Sequence, residues 1–199
     1  ITIYNGFDEE MAKKKIENLT PEKCRKKLNI EKNELCILTV GTVCERKGQI
    51  DLVKAVKKLD DEIVKKLKIF IVGDRKSLDY SKQMHDLINA LPQHKKDKIT
   101  VVDETLDVYK YYLASDIFVC SSRVESFPKV IQEAMYFKLA IITTPVFGIV
   151  EQVKDNVRAL YYEPGNIEQL TNNIVKVTKD EALRKTLASN AKAALGIFP

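Results

Sequence analysis

Two short stretches hold the side chains whose types and spacing suit chemistry on an anion. The first, Gly41-Thr42-Val43-Cys44-Glu45-Arg46-Lys47-Gly48, follows an apolar run and puts two cations between a strand end and a helix start. Backbone N–H groups at that helix start, joined by Arg46 and Lys47, would hold a phosphate. The same residues fit a solvated turn in which Arg46 and Lys47 point into water beside Glu45. The loop is neither GxGxxG nor a Walker A sequence, which removes the main support for dinucleotide or P-loop chemistry.

The second stretch is Ser121-Ser122-Arg123-Val124-Glu125-Ser126-Phe127-Pro128-Lys129. Ser126 has the side chain of an N-cap, with Phe127 and Pro128 opening the helix, so the N–H groups of Lys129 and its neighbours face outward. Glu133 follows Ser126 by just under two turns and shares a helix side with Ser126 and Lys129, about 10 Å deeper than Glu125. That span suits a sugar near Glu125 and a ribose hydroxyl pair at Glu133. A structural reading fits equally: Glu125 complements the helix dipole and Glu133 pairs with Lys129 one turn back, each worth a few tenths to about 1 kcal/mol. In a third loop, Pro145 to Glu151, Gly148 lets the backbone approach a ligand or simply turn.

Neither His85 nor His94 falls in these loops. Cys24, Cys36, Cys44 and Cys120 form no CxxC pair and no short metal-ligand spacing with a histidine, so neither histidine acid/base chemistry nor a metal is expected.

The elements that must position these loops follow from hydrophobic period. Leu35 to Gly41, Lys68 to Gly73, Ile99 to Val102, Ile117 to Cys120 and Leu139 to Thr143 are short apolar, β-rich runs, and Arg158 to Tyr161 adds a sixth. Helices alternate with them. Ile50, Val53, Val56 and Leu59 stripe one, and Met84, Leu87, Ile88 and Leu91 stripe another that ends at Pro92. Thr105 caps Leu106 to Ala114, Pro128 to Phe137 is a further helix, and two more open near Asn166 and Asp180. Strands alternating with helices give an α/β, doubly wound parallel sheet, Rossmann-like, whose ligands bind outside the carboxyl ends of the strands.

With 199 residues and 45% hydrophobic content, the chain suffices for one core. The net charge of +5 comes from Lys-rich helices, and with no aromatic platform or basic arm, nucleic acid is not an expected partner. No apolar run approaches the roughly 20 residues of a membrane span. Reduced core thiols point to the cytoplasm. Ile1 to Asp8 reads as a strand entering a turn rather than a leader, and the expectation is a piece of a longer protein.

In order along the chain, these residues resemble the donor-binding domain of the family-4 retaining glycosyltransferases of GT-B fold. Asn5-Gly6-Phe7-Asp8 is similar to the entry into that domain, and Gly41 to Gly48 to its phosphate loop with a Lys-Gly ending. Asp116 to Ser121 is similar to the strand before the site, and Glu125-Ser126-Phe127-Pro128-Lys129-Val130-Ile131-Gln132-Glu133-Ala134-Met135 to its paired glutamates. The resemblance implies one donor domain over 1–199: an entry segment and helix (1–34), a Rossmann-like core (35–165) and C-terminal helices (166–199), with the acceptor domain N-terminal and outside the chain. It implies that Lys47 meets the donor diphosphate beside Gly41, and that Glu125 meets the transferred sugar. It also implies that backbone from Ser126 through Phe127, Pro128 and Lys129 to Val130 touches phosphate or sugar, and that Glu133 holds the ribose.

Thr42 stands where the family often has Arg, and Arg46 is the candidate substitute. Asp103 stands where many members have Gly, and a second Gly after Gly73 is missing. The implied activity is metal-independent hexosyl transfer, without cofactor, from a nucleoside-diphosphate sugar to a glycan, lipid or small-molecule acceptor. Peripheral association of the full-length protein with a membrane's inner face stays open. So do two other classes: a GT-B nucleotide-sugar epimerase and a non-catalytic nucleotide- or glycan-binding module.

Overall fold

The computed structural model describes residues 6–197; of the strand and turn expected over Ile1 to Asp8, residues 1–5 lie outside them and 6–8 have no regular structure. Two helices come first. The Asp8 carboxylate accepts from the Met11 N–H at 2.8 Å and caps α1 (Glu9–Ile16), while Thr20 caps α2 (Pro21–Lys27), whose Pro21 sits where no N–H is needed. β1 (Leu35–Val40) runs through a single 3-10 turn (Glu45–Lys47) into α3 (Ile50–Lys58) and the short α4 (Asp61–Val64). β2 (Leu67–Asp74), α5 (Asp79–Asn89), the short α6 (Gln93–Lys96) and β3 (Ile99–Asp103) follow. Next come α7 (Tyr109–Ala114), β4 (Ile117–Cys120), α8 (Lys129–Tyr136), β5 (Ala140–Thr143), α9 (Ile149–Gln152) and β6 (Ala159–Tyr161). α10 (Ile167–Lys179) and α11 (Glu181–Ala194) pack back on the sheet, and a last 3-10 turn covers Leu195–Ile197.

The sheet has the order β3-β2-β1-β4-β5-β6 and every pairing is parallel, so the expected doubly wound α/β fold is the one adopted. Strand alternation divides the core. Cys36, Leu38, Phe70, Val72, Phe118, Cys120 and Ile141 enter one layer with α7 and α8; Ile37, Ile69, Ile117, Val119 and Ile142 enter the other with α3 and α10. The three-residue stripe of α3 is shared between two neighbours. Ile50 and Val53 meet Met84 and Ile88 of α5, whereas Val56 and Leu59 meet Leu170, Ile174 and Val177 of α10.

At the amino edge of the sheet, Arg25 ties α2 to the strands. Its guanidinium donates to the carbonyls of Ala114 (3.0 Å), Glu31 (3.0 Å) and Glu34 (2.6 Å) and to the Asp116 carboxylate (3.1 Å), which also accepts from Cys36 N–H at 2.8 Å. The cysteines are free, and Cys24, Cys36 and Cys120 are buried. Burial pushes the Cys36 thiol up to about 12, so it is a packing group and not a nucleophile.

One helix start differs from expectation. α7 begins at Tyr109, not Leu106, because the Thr105 hydroxyl accepts from Asp107 N–H at 3.1 Å, two residues on, and closes a turn instead of capping a helix. Leu106 is left 93% exposed on that turn. Asn166 and Asp180 do cap their helices, accepting from Gln169 N–H (3.1 Å) and Leu183 N–H (2.8 Å).

Candidate functional site

Strand order reverses between β1 and β4: β1 feeds α3 on one face of the sheet, and β4 feeds α8 on the other. The loops after these neighbouring strands therefore part and leave a crevice at their carboxyl ends. Both anion-suited stretches lie there.

Glycines let the loops meet. Gly48 has φ +67°, and a Cβ there would stand 2.3 Å from the Ser121 carbonyl oxygen, so the β1 loop rests directly on the end of β4. The Arg123 N–H then donates to the Arg46 carbonyl at 2.7 Å and locks one loop to the other. Gln49, buried, holds the β1 loop from inside, donating to the carbonyls of Thr42 (3.1 Å) and Gly41 (3.3 Å). Arg123 reaches the buried Asp51 carboxylate at 2.7 Å, and Asp51 also accepts from Gly165 N–H at 3.2 Å.

This scaffold brings Lys47 to Glu125. The Lys47 ammonium, largely buried, donates to Oε1 of Glu125 and lies across the bare Cα of Gly41. Glu125 is only 7% exposed; Ser122 Oγ donates to the same oxygen at 2.7 Å, and Arg46 Nη1 stands 3.5 Å from Oε2. Arg46 also donates to the Val124 carbonyl at 3.0 Å and stays half exposed. Lys47 thus does not point into water. A carboxylate this buried persists only because two cations and a hydroxyl face it.

The start of α8 corrects the expected cap. The helix begins at Lys129, its N-cap is Pro128 with extended backbone (φ −73°, ψ 123°), and no side chain caps it. Ser126 is exposed and lies before the helix, because a residue preceding proline is pushed out of helical geometry and carries its neighbour with it. An uncapped first turn suits an anion better, since its N–H groups are not satisfied by a hydroxyl. The carbonyl of Pro128 accepts from the buried Gln152 side chain at 3.2 Å.

Gly148 approaches the chain itself: its N–H donates to the Glu125 carbonyl at 3.3 Å, and a Cβ would stand 1.5 Å from the Ser126 carbonyl oxygen. Glu133 is not paired with Lys129. Its carboxylate accepts from the Tyr112 hydroxyl at 2.7 Å, and burial raises its pKa against the pull of that hydroxyl and of Lys129 and Lys15. Thr42 and Gly41 line a crevice of about 130 Å³ with Val40, Val72, Gly73, Glu104, Thr105 and Val108. Asp103 pairs with Lys76 at 3.0 Å and Glu104 with Arg75 at 2.8 Å, so two exposed ion pairs join the loops after β2 and β3.

Spacing alone leaves Gln49, Asp51, Ser122 and Gln152 without roles. Ser122 lies in the loop that follows a fully buried strand, which was its only signal; Asp51 and Gln152 have none, since their partners lie 72 and 24 residues away. Among the described residues, no three His, Cys, Asp or Glu side chains gather as metal ligands, and no helix is long and apolar enough to cross a membrane.

The fold is a Rossmann-like sheet of the kind found in GT-B glycosyltransferases, and a solved glycosyltransferase of Rickettsia africae superposes on it with a TM-score of 0.77 at 25% identity over 92% of this chain and 48% of its own. The family described as Glycosyl transferases group 1 matches residues 21–194, and the chain belongs to it. It is 29% identical over 197 residues to the glycosyltransferase MJ1607 of Methanocaldococcus jannaschii, covering 96% of this chain and 47% of that protein. It is 26% identical over 194 residues to the N-acetyl-alpha-D-glucosaminyl L-malate synthase of Bacillus anthracis, covering 98% and 48%. Anabaena Alr3699/HepE, solved in complex with UDP, superposes with a TM-score of 0.83 at 26% identity over 98% of this chain and 52% of its own; its UDP-glucose complex also gives 0.83. The chain spans about half the length of the relatives it matches.

Proposed function

We propose that this chain is the donor-binding half of a family-4 retaining glycosyltransferase. It binds a nucleoside-diphosphate sugar, and a further N-terminal domain presents a glycan, lipid or small-molecule acceptor. The observation that carries this is the meeting of Lys47, Arg46 and Glu125 at the β1–β4 switch point, beside the uncapped start of α8. A uridine nucleotide is the favoured donor, supported by the UDP and UDP-glucose complexes of the Anabaena relative.

When the bond from the anomeric carbon to the diphosphate oxygen breaks, negative charge develops on the diphosphate. Lys47 and Arg46, once turned to the diphosphate, and the N–H groups of Lys129 and Val130 face that charge and stabilise the transition state more than the ground state. This is the task a divalent cation performs elsewhere, so the reaction proceeds without metal or cofactor. Glu125 orients the sugar and offsets positive charge at its anomeric carbon, the backbone of Ser126, Phe127 and Pro128 borders phosphate or sugar, and Gly41 and Thr42 border the nucleotide. Glu133 receives the ribose hydroxyls, which replace the Tyr112 hydroxyl as donors. The full-length enzyme works in the cytoplasm, with an acceptor at a membrane's inner face as one setting.

Calorimetric titration of UDP, GDP and ADP, free and sugar-linked, into the chain and its Lys47→Ala variant tests this. One nucleotide should bind, and the variant should bind it weaker by about 1.5 kcal/mol or more, the worth of a charge-assisted contact. No binding at millimolar concentration, or an unchanged Lys47→Ala, overturns the reading.

A further inference from the structure

Lys47 and Arg46, the cations that would face an incoming diphosphate, are already engaged by a carboxylate of the chain itself. The Glu125 carboxylate holds Lys47 through Oε1 and lies 3.5 Å from Arg46 through Oε2, with Ser122 Oγ fixing it at 2.7 Å. Glu125 is 7% exposed, so little water screens its charge from anything bound beside it. An arriving phosphate must draw both cations away and leave a buried carboxylate short of donors.

Resting on the donor-binding reading, we propose that Glu125 is the residue by which the site distinguishes a sugar-bearing nucleotide from the bare nucleoside diphosphate. A bare diphosphate takes Lys47 and Arg46 and gives nothing back: it has no proton to donate to the carboxylate and adds like charge next to it. A sugar on that diphosphate brings hydroxyl donors to the place the Lys47 ammonium vacates, so the carboxylate is again paired. The spent nucleotide is therefore expelled by the same carboxylate that receives the donor. Ser122 serves as a positioning residue, since its hydroxyl keeps the carboxylate on the Lys47 side.

The test is calorimetric titration of wild type, Glu125→Gln and Glu125→Asp with UDP, GDP and ADP and with UDP-glucose, GDP-mannose and ADP-glucose. Thermal unfolding of each variant reports that it is folded. Glu125→Gln keeps the shape and removes the charge, so the bare nucleotide should bind roughly tenfold tighter, matching removal of one competing contact of about 1.4 kcal/mol. The sugar nucleotide should gain less or weaken, which collapses the preference. Glu125→Asp withdraws the carboxylate by one methylene and should shift the ratio the same way by a smaller factor; it decides the matter if Glu125→Gln does not fold. A wild type that binds nucleotide, with variants that change both ligand types equally or weaken the bare nucleotide, overturns this proposal and leaves the donor reading standing. Absence of nucleotide binding by every protein overturns both.

Discussion

Glu133, buried and proposed above to receive the ribose, sets stability against that proposed binding. Its carboxyl pKa is raised above the ordinary 4.5, chiefly by burial. The folded state therefore holds the proton more tightly than the unfolded chain does. Stability is greatest below the unfolded value and falls as pH rises through the raised folded value, where ionisation must occur inside the protein. Glu133→Gln should flatten that decline and raise the thermal midpoint at neutral pH, while nucleotide affinity drops about tenfold through loss of a charge-assisted acceptor. Unfolding curves across pH 4 to 8 check the first half and calorimetry the second. Arg123 makes the opposite case. Arg123→Ala leaves the buried Asp51 carboxylate with the Gly165 N–H, so urea unfolding should show a loss of about 2–3 kcal/mol, less than a fully buried pair because Arg123 is 32% exposed.

At the scale of elements, the segment from Glu125 to Pro128 has no regular structure of its own and takes its shape from the loop after β5. Gly148 lies against the Ser126 carbonyl, and Gln152 on α9 holds the Pro128 carbonyl. Gly148 has an ordinary φ of −64°, so its requirement is space and not backbone freedom. Gly148→Ala should therefore destabilise by about 1–3 kcal/mol through overpacking and weaken nucleotide binding by displacing Ser126, whereas an exposed control such as Val150→Ala should do neither. Thermal unfolding with calorimetry separates these outcomes. Helix starts were the least legible feature of this kind in the sequence. Thr105 and Ser126 both have capping side chains, yet Thr105 closes a turn and Ser126 sits before a proline, since a cap residue type states a local preference that competing local geometry overrides.

For the whole molecule, the chain spans about half the length of its relatives. The isolated chain should bind nucleotide yet transfer no sugar, because nothing in it is assigned to hold an acceptor. Incubation with sugar nucleotides and simple glycosides, followed by chromatography for released nucleotide, checks this. Appreciable transfer by the chain alone would sink the assignment of the acceptor to another domain.

The sheet is legible in the residues alone. Runs such as Cys36 to Leu38 and Ile69 to Val72 are buried on both faces, so their apolar character is continuous and readable, and the helices between them leave only parallel pairing. So are the two anion-suited loops, because strand ends in such a sheet share one edge. Which side chains meet there is settled by packing between distant elements. Lys47 and Glu125 are 78 residues apart, and neither period nor local propensity encodes a contact that depends on Gly48 settling against the end of β4. The same holds for Glu133, whose expected partner one turn back lost to Tyr112 on a neighbouring helix: local spacing proposes i,i+4 pairs, and packing against another element disposes of them.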